Sequence, residues 1–341
     1  MNIDGDNGIP DNDVVLTTRS RLARNLADHP FLNRASDMQS ALVMQTAQRV
    51  LLDAPLSEKT LWMDLDELTP LDRSLLVERH LISRHHSESS LHRGVAISSD
   101  EHMSIMVNEE DHLRIQVIQR GSRLDETFEQ LMRIDALLEQ QLDYAFHDQW
   151  GYLSVCPTNV GTGIRFSVMV HLPALRITNE LAKVQRAAKE LHLVVRGYYG
   201  EGSESTGQIY QVSNQVTLGR TEEEIQEEFS KSIIPALIDY ERSARNVLMK
   251  KNSMLLDDRI QRAYSVLCSA RLLKVDEAMK LLSRVRLGAS LGHVDCSIQT
   301  IDELLVQVQP AHLNQQAQST LSDNDELEYR ALIVRNTLSQ Q

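Results

Sequence analysis

The stretch VAISSDEHMSIMVNEEDHLRIQVIQ, residues 95–119, decides how the rest of the chain is read. On both sides of Asn108-Glu109-Glu110-Asp111-His112 apolar residues alternate with polar ones, from Val95 to Val107 and from Leu113 to Gln119. A period of two predicts half-buried strands, and two such strands meeting at a charged turn predict an antiparallel hairpin. Upstream, Val14 to Asn25 reads as a short strand running into a loop dense in arginine, and helical spacing is expected over 36–52 and 74–84. Downstream, Leu124 to Leu142 carries an amphipathic pattern with Leu131, Ile134, Leu138 and Leu142 on one side. Strands are expected at Phe166 to His171, Leu193 to Val195, Ile209 to Val212 and Val216 to Leu218, with a helix at Asn179 to Leu191. This mixture predicts an α+β fold, an antiparallel sheet flanked by helices.

After Thr221 the character changes. Thr221-Glu222-Glu223-Glu224 is a helix start with acidic residues in its first turn. Helices are expected over 255–273, 275–287, 298–308 and 323–338, so the C-terminal part reads as all-helical. The expected division is a catalytic domain over 1–250 and a helical domain over 251–341.

Composition excludes several classes. The chain has 341 residues, 42% hydrophobic and 24% charged, ordinary for a globular protein of about two domains. No run approaches the roughly 18 apolar residues of a membrane span, so no membrane association is expected. The first residues, Met1-Asn2-Ile3-Asp4-Gly5-Asp6, lack the basic start and apolar core of a signal peptide, and a cytoplasmic location is the expectation. Cys156, Cys268 and Cys296 are too few and scattered for a disulfide framework or a cysteine-based zinc site. A formal net charge of -13 argues against direct nucleic-acid binding and permits a basic partner.

The chain has no Gly-Lys pair and therefore no P-loop. Phosphates would have to be held by side chains, for which the bidentate fork of arginine is suited. Arg19, Arg21, Arg114, Arg165 and Arg196 each sit where a predicted strand meets a loop or where a motif ends. Singly, each reads as one surface charge among 35 basic residues; the motifs around them argue for more. His80, His85, His86 and His92 are irregularly spaced, and no metal site is assigned to them.

Asn108-Glu109-Glu110-Asp111-His112-Leu113-Arg114 and Cys156-Pro157-Thr158-Asn159-Val160-Gly161-Thr162-Gly163-Ile164-Arg165 resemble the signature motifs of the ATP:guanidino phosphotransferases, the creatine and arginine kinases. Leu16-Thr17-Thr18-Arg19-Ser20-Arg21-Leu22-Ala23-Arg24-Asn25 resembles their first arginine segment. The resemblance implies ATP and Mg2+, with Arg19, Arg21, Arg114, Arg165 and Arg196 cradling the phosphates. It implies that the ion is held largely by phosphates and water. Glu110 matches the catalytic glutamate, Glu201 the second substrate-clamping glutamate, and Cys156 the reactive cysteine. Nearby arginines would favour its thiolate, which would place the acceptor guanidinium. Glu109, Asp111 and His112 are expected to shape the turn.

Three features narrow the branch. Creatine and arginine kinases carry a helical domain ahead of the arginine segment, whereas Arg19 lies near the start here, so an open acceptor pocket is expected. Ser167 to Leu175 and Gly207 to Gln215 resemble the bacterial protein-arginine kinases, with Met169 replacing a nucleotide-contacting histidine and Gln211 an aspartate. A helical C-terminal region is shared with that branch. The branch's Arg-Asp-x-x-Arg-Ala motif, which binds phosphoarginine, stands here as Glu326-Leu327-Glu328-Tyr329-Arg330-Ala331. Arg330 is the candidate regulatory residue, and a glutamate at its head would repel phosphate. The resemblance implies arginine-containing protein substrates, among them a stress-response repressor, with a zinc-finger activator, a Clp protease and a homodimer as further partners. A kinase of free arginine or another small guanidino metabolite, and a catalytically weak adaptor binding a repressor or protease, stay open as alternatives.

Overall fold

Residues 8–88, 92–198 and 206–339 are described by the computed structural model. Ten strands occur among them: β1 Val15–Arg24, β2 Thr60–Asp64, β3 Gly94–Ser98, β4 Met103–Val107, β5 Leu113–Arg120, β6 Phe146–His147, β7 Gly151–Tyr152, β8 Ile164–His171, β9 Leu193–Gly197 and β10 Ile209–Asn214. Eight of them form one antiparallel sheet in the order β2-β3-β4-β5-β1-β8-β10-β9, and β6 pairs with β7. The expected hairpin across the acidic turn is β4–β5, with Val107 opposite Leu113. Asn108 takes the left-handed conformation there (φ 62°), which asparagine tolerates.

Helices α1 Asp37–Asp53, α2 Pro70–Glu78, α3 Arg84–Glu88, α4 Leu124–Glu139, α5 Pro173–Ile177, α6 Leu181–Glu190 and α7 Glu222–Glu228 flank the sheet. Helices α8 Ile234–Ser269, α9 Val275–Ser290, α10 Ile298–Gln307, α11 Pro310–Ala317 and α12 Asp323–Ser339 complete the chain. Three starts follow from local chemistry: Ser36 with Gln39, Thr69 with Asp72 and Thr221 with Glu224 form reciprocal capping boxes.

Cross-strand pairing sorts the sheet into two faces. Leu22, Phe166, Val168, Ile115, Val117 and Val212 share one face, and they pack into a core with Leu131, Ile134 and Leu138 of α4 and Leu237 and Ile238 of α8. The opposite face carries Arg19, Arg21, Arg114, Arg165, Ser167 and Gln211. On that face Leu76, Leu81 and Ile82, in and after α2, pack over Val95, Ile97 and Met106. At its other end Leu16, Met169 and Ile209 enter the core of the helical region with Met279, Leu282 and Val285. Between these two covers a polar cleft remains.

The 36-residue span of α8 is two helical segments that meet at a kink at Asn252 (φ −141°), close to the expected boundary at 250. Its first half contributes to the sheet core and its last turns, at Ala263 and Leu267, to the helical core.

Several local expectations change. The arginine-rich segment is strand as far as Arg24, because the sheet pairs both edges of β1. The stretch 95–107 is two strands, since the Ser98 hydroxyl accepts from Met103 N and Glu101 turns left-handed (φ 59°). The stretch 74–84 breaks after α2, where His80 has φ 59°. Residues 216–218 are no strand: Thr217 Oγ1 donates to Thr158 O and Val160 O instead, at 2.9 and 2.8 Å. Strands β2, β6 and β7 and helix α11 were not anticipated.

Arg24 points away from Arg19 and Arg21, as its even offset from neither demands. It is fully buried, forks onto Asp135 of α4 at 2.7 and 3.2 Å, and lies 3.5 Å over the Tyr152 ring. Asp135→Ala leaves that buried guanidinium uncompensated. It should lower unfolding stability by about 3–5 kcal/mol, read as a shift of the denaturant midpoint at unchanged slope.

Candidate active site

Alternation along β1 and β8 builds the site. Arg19 and Arg21 are two apart and project to one face; Arg165, Ser167 and Met169 do the same across the pairing. Arg21 stands opposite Arg165, and Arg114 pairs opposite Ala23 on the other neighbour. A cleft of about 90 Å³ opens here, lined by Glu110, Cys156 and Arg21, Arg114 and Arg165 among others. Arg19 lies on the same face, with Nη2 donating to Gln211 Oε1 at 2.7 Å and Nε to Ser167 Oγ at 3.3 Å. Arg196 lies on β9 opposite Gln211. Glu201 lies outside the described residues.

Guanidinium groups crowd this face. Burial, then the charges of Arg114 and Arg165, pull Arg19 down to about 9. Burial and Arg19, Arg114 and Arg165 lower Arg21 strongly. Arg21 Nε is buried without a hydrogen-bond partner among the described residues. Arginine stays protonated, so this is a cationic cradle. A polyphosphate would relieve the repulsion and satisfy the open donor.

The carboxylate turn divides its labour. Buried Glu109 accepts from Ser83 Oγ (2.6 Å), Arg114 Nη1 (2.8 Å) and Glu110 N (2.9 Å). Although burial opposes ionisation, Arg114 and these hydrogen bonds hold Glu109 down at about 2. Arg93 Nη2 donates to the Glu109 carbonyl at 2.9 Å and pins the turn from behind. Asp111 accepts from Asn25 Nδ2 (2.6 Å), Ser154 Oγ (2.7 Å) and Val155 N (2.9 Å), and so ties the Cys156 segment to the turn. His112 Nδ1 accepts from Leu26 N at 3.0 Å. All three acids line the cleft, and of the three Glu110 alone is exposed. Desolvation, then the charges of Asp111 and Glu109, raise its pKa above the ordinary value.

Cys156 is half-buried, with Sγ 3.0 Å from Thr158 Oγ1. Behind it Gly163 has φ 66°, and a Cβ there would sit 2.7 Å from Ala23 O, so the turn requires glycine. Arg24 Nη1 fixes the same turn through Thr162 O at 2.8 Å. Ser83, Ser167, Arg93 and Ser213, whose Oγ accepts from Arg165 Nη2 at 3.3 Å, are supports that the sequence did not single out. For Ser167 the signal was present, two residues beyond Arg165 on the same strand. Ser83 and Arg93 meet Glu109 only through the fold.

The four histidines face different partners: His86 binds Gly94 O, His80 stacks edge-on with Tyr198, His85 Nε2 meets Arg93 Nη2 at 3.3 Å, and His92 lies near Asp66. Arg330 is buried on α12, each of its three nitrogens meeting an oxygen: Val308 O, Leu273 O and Glu326 Oε2.

Residues 43–244 match the model of the ATP:guanido phosphotransferase C-terminal catalytic domain, and residues 253–341 match the protein-arginine kinase McsB C-terminal domain. The chain belongs to the ATP:guanido phosphotransferase family. Among its relatives, the protein-arginine kinase of Symbiobacterium thermophilum is 46% identical over 97% of this chain and 94% of its own. That of Halothermothrix orenii is 43% identical over the same shares. Among solved structures, lombricine kinase superposes with a TM-score of 0.61 at 25% identity, covering 70% of this chain and 69% of its own. The duplicated taurocyamine kinase from Schistosoma mansoni, with bound transition state analog components, gives 0.63 at 25% over 67% of this chain and 33% of its own. The α+β sheet and helical C-terminal region of this guanido phosphotransferase agree with that membership.

Glu109→Gln cannot accept from Ser83, Arg114 and Glu110 N as an anion does. It should cost roughly 2–3 kcal/mol of stability at neutral pH. Because the folded-state pKa is depressed to about 2, the wild-type contribution is present above the usual glutamate value of 4.5 and is lost as pH falls towards 2. The stability gap between wild type and variant should therefore narrow as pH falls from 5 towards 2, read from denaturation at each pH.

Proposed function

We propose that this chain is an ATP-dependent protein-arginine kinase that transfers the γ-phosphoryl group to a guanidino nitrogen of an arginine side chain. The observation that carries the proposal is the cleft in which Glu110 and Cys156 face Arg21, Arg114 and Arg165. The full-length relatives named protein-arginine kinase support the choice of acceptor.

In this reading Arg19, Arg21, Arg114, Arg165 and Arg196 hold the phosphates, and their charge stabilises the phosphoryl group in flight. The acceptor guanidinium has a pKa above about 12, so its nitrogen is a poor nucleophile until a proton leaves. Glu110 takes that proton as the N–P bond forms and the bond from phosphorus to the ADP oxygen breaks. Its raised pKa makes it a better base than an exposed glutamate. Cys156 and Glu201 align the planar acceptor. Magnesium neutralises charge on the phosphates. No protein ligand is assigned to it, because Glu109 and Asp111 are engaged by protein donors.

Family resemblance alone extends the proposal to a stress-response role, a repressor substrate, a zinc-finger activator, a Clp protease partner, a homodimer and a cytoplasmic location. Among the described residues no helix is long and apolar enough to cross a membrane. Regulation through Arg330 would require displacing Glu326 from its guanidinium.

Mass spectrometry under neutral handling, after incubating an arginine-rich protein with the enzyme, ATP and magnesium, should find phosphoarginine. Glu110→Gln should lower kcat by roughly 10²–10⁴-fold. Turnover on free arginine without modified protein would move the assignment to a metabolite kinase, and silence on both would favour the adaptor. The acid limb of kcat/KM should lie above the ordinary glutamate value of 4.5, because the base works only when ionised and its pKa is raised. An acid limb at or below that value would remove Glu110 as the base.

A further inference from the structure

The helical region reaches the arginine-bearing strands through a buried hydrogen-bond chain that takes no part in the chemistry above. Arg286 of α9 is fully buried and paired with Asp302 of α10 at 2.6 Å. Its Nη1 lies 3.3 Å from His171 Nδ1. A guanidinium can only donate, so Nδ1 accepts and the ring proton sits on Nε2. His171 Nε2 then donates to Ser283 Oγ at 2.8 Å, and the Ser283 hydroxyl donates to Gln208 Oε1 at 2.7 Å. Every proton in this chain has one place. His171, Ser283 and Arg286 are each buried to the last ångström.

Both ends of the chain touch the site's framework. His171 ends β8 and lies on the face that carries Arg165, Ser167 and Met169. Gln208 immediately precedes β10, and its carbonyl accepts from Leu172 N at 3.0 Å. Strand β10 carries Gln211, which holds Arg19, and pairs with β9 at Arg196. Gly207 has φ 67° with Met279 O of α9 3.1 Å from where a Cβ would lie, so the helix meets the backbone at close range.

We propose that Ser283 is a positioning residue: by bonding both His171 and Gln208 it fastens the paired ends of β8 and β10 to α9. That sets the alignment of Arg165, Arg19 and Arg196 towards nucleotide phosphates. The helical region thereby takes part in nucleotide binding without touching the nucleotide. The inference rests on the phosphate-binding reading of the arginine face and is independent of the acceptor's identity.

The test is titration of magnesium-ADP into the full chain by calorimetry, below the melting temperature of each variant. Ser283→Ala should weaken binding and raise the KM for ATP roughly 10-fold or more, since small misalignments far from the chemistry carry such effects. Ser283→Thr, which keeps the hydroxyl, should restore both. Gln208→Met, which removes the far acceptor, should match Ser283→Ala and decides the matter if that variant does not fold. A purely structural role would lower the melting temperature and leave magnesium-ADP affinity unchanged. That result, or Ser283→Thr behaving as Ser283→Ala, overturns the inference, as does a wild type that binds no magnesium-ADP. A wild type that binds magnesium-ADP but phosphorylates no arginine overturns the proposed function and leaves this inference to the binding data.

Discussion

Four guanidinium groups, those of Arg19, Arg21, Arg114 and Arg165, share one face of a sheet, and their mutual repulsion is the constraint the rest of the structure answers. Like charges at neighbouring strand positions destabilise a sheet. Here the opposing face is mostly apolar and carries α4 and α8, so the strands are held from behind by burial of Leu22, Phe166, Val168 and Ile115. The buried carboxylate of Glu109 offsets the crowd locally through Arg114.

Glu109 shows how one residue serves stability and chemistry together. By accepting from Ser83, Arg114 and Glu110 N it uses up its own charge. Glu110 is thereby directed outward into the cleft while its neighbours make ionisation harder. Asp111 completes the arrangement by fastening the Cys156 segment to the same turn. Three consecutive acids thus take three different environments, and Glu110 alone of them is exposed. Divergent environments for adjacent carboxylates are how a fold assigns acid–base roles.

The helical region is bound to this face by more than packing. Its core includes Leu16, Met169 and Ile209 of the sheet, and α8 belongs to both cores. Glu78 of α2 caps α11 through Ala311 N and His312 N, so the opposite border of the cleft is also tied to the helices. The cleft is therefore framed on two sides by elements that meet in the C-terminal part of the chain.

Much of this was legible in the sequence where local rules suffice. The period-two pattern around Asn108–Arg114 determined the hairpin, Thr221 with its acidic first turn determined a helix start, and the spacing of Arg19 and Arg21 determined a shared face. What lay beyond reach was partner choice across the chain. Arg24 belongs to the same arginine cluster yet serves Asp135, and residues 216–218 look like strand yet brace the Gly161–Gly163 turn. Ser83 and Arg93 become supports of Glu109, and Ser283 meets His171 from 112 positions away. The sequence by itself determined the periodicity and the chemical inventory, because both depend on neighbours within a few residues. Only the tertiary structure decided which buried donor meets which acceptor, because that depends on helices and strands brought together by burial of apolar surface elsewhere.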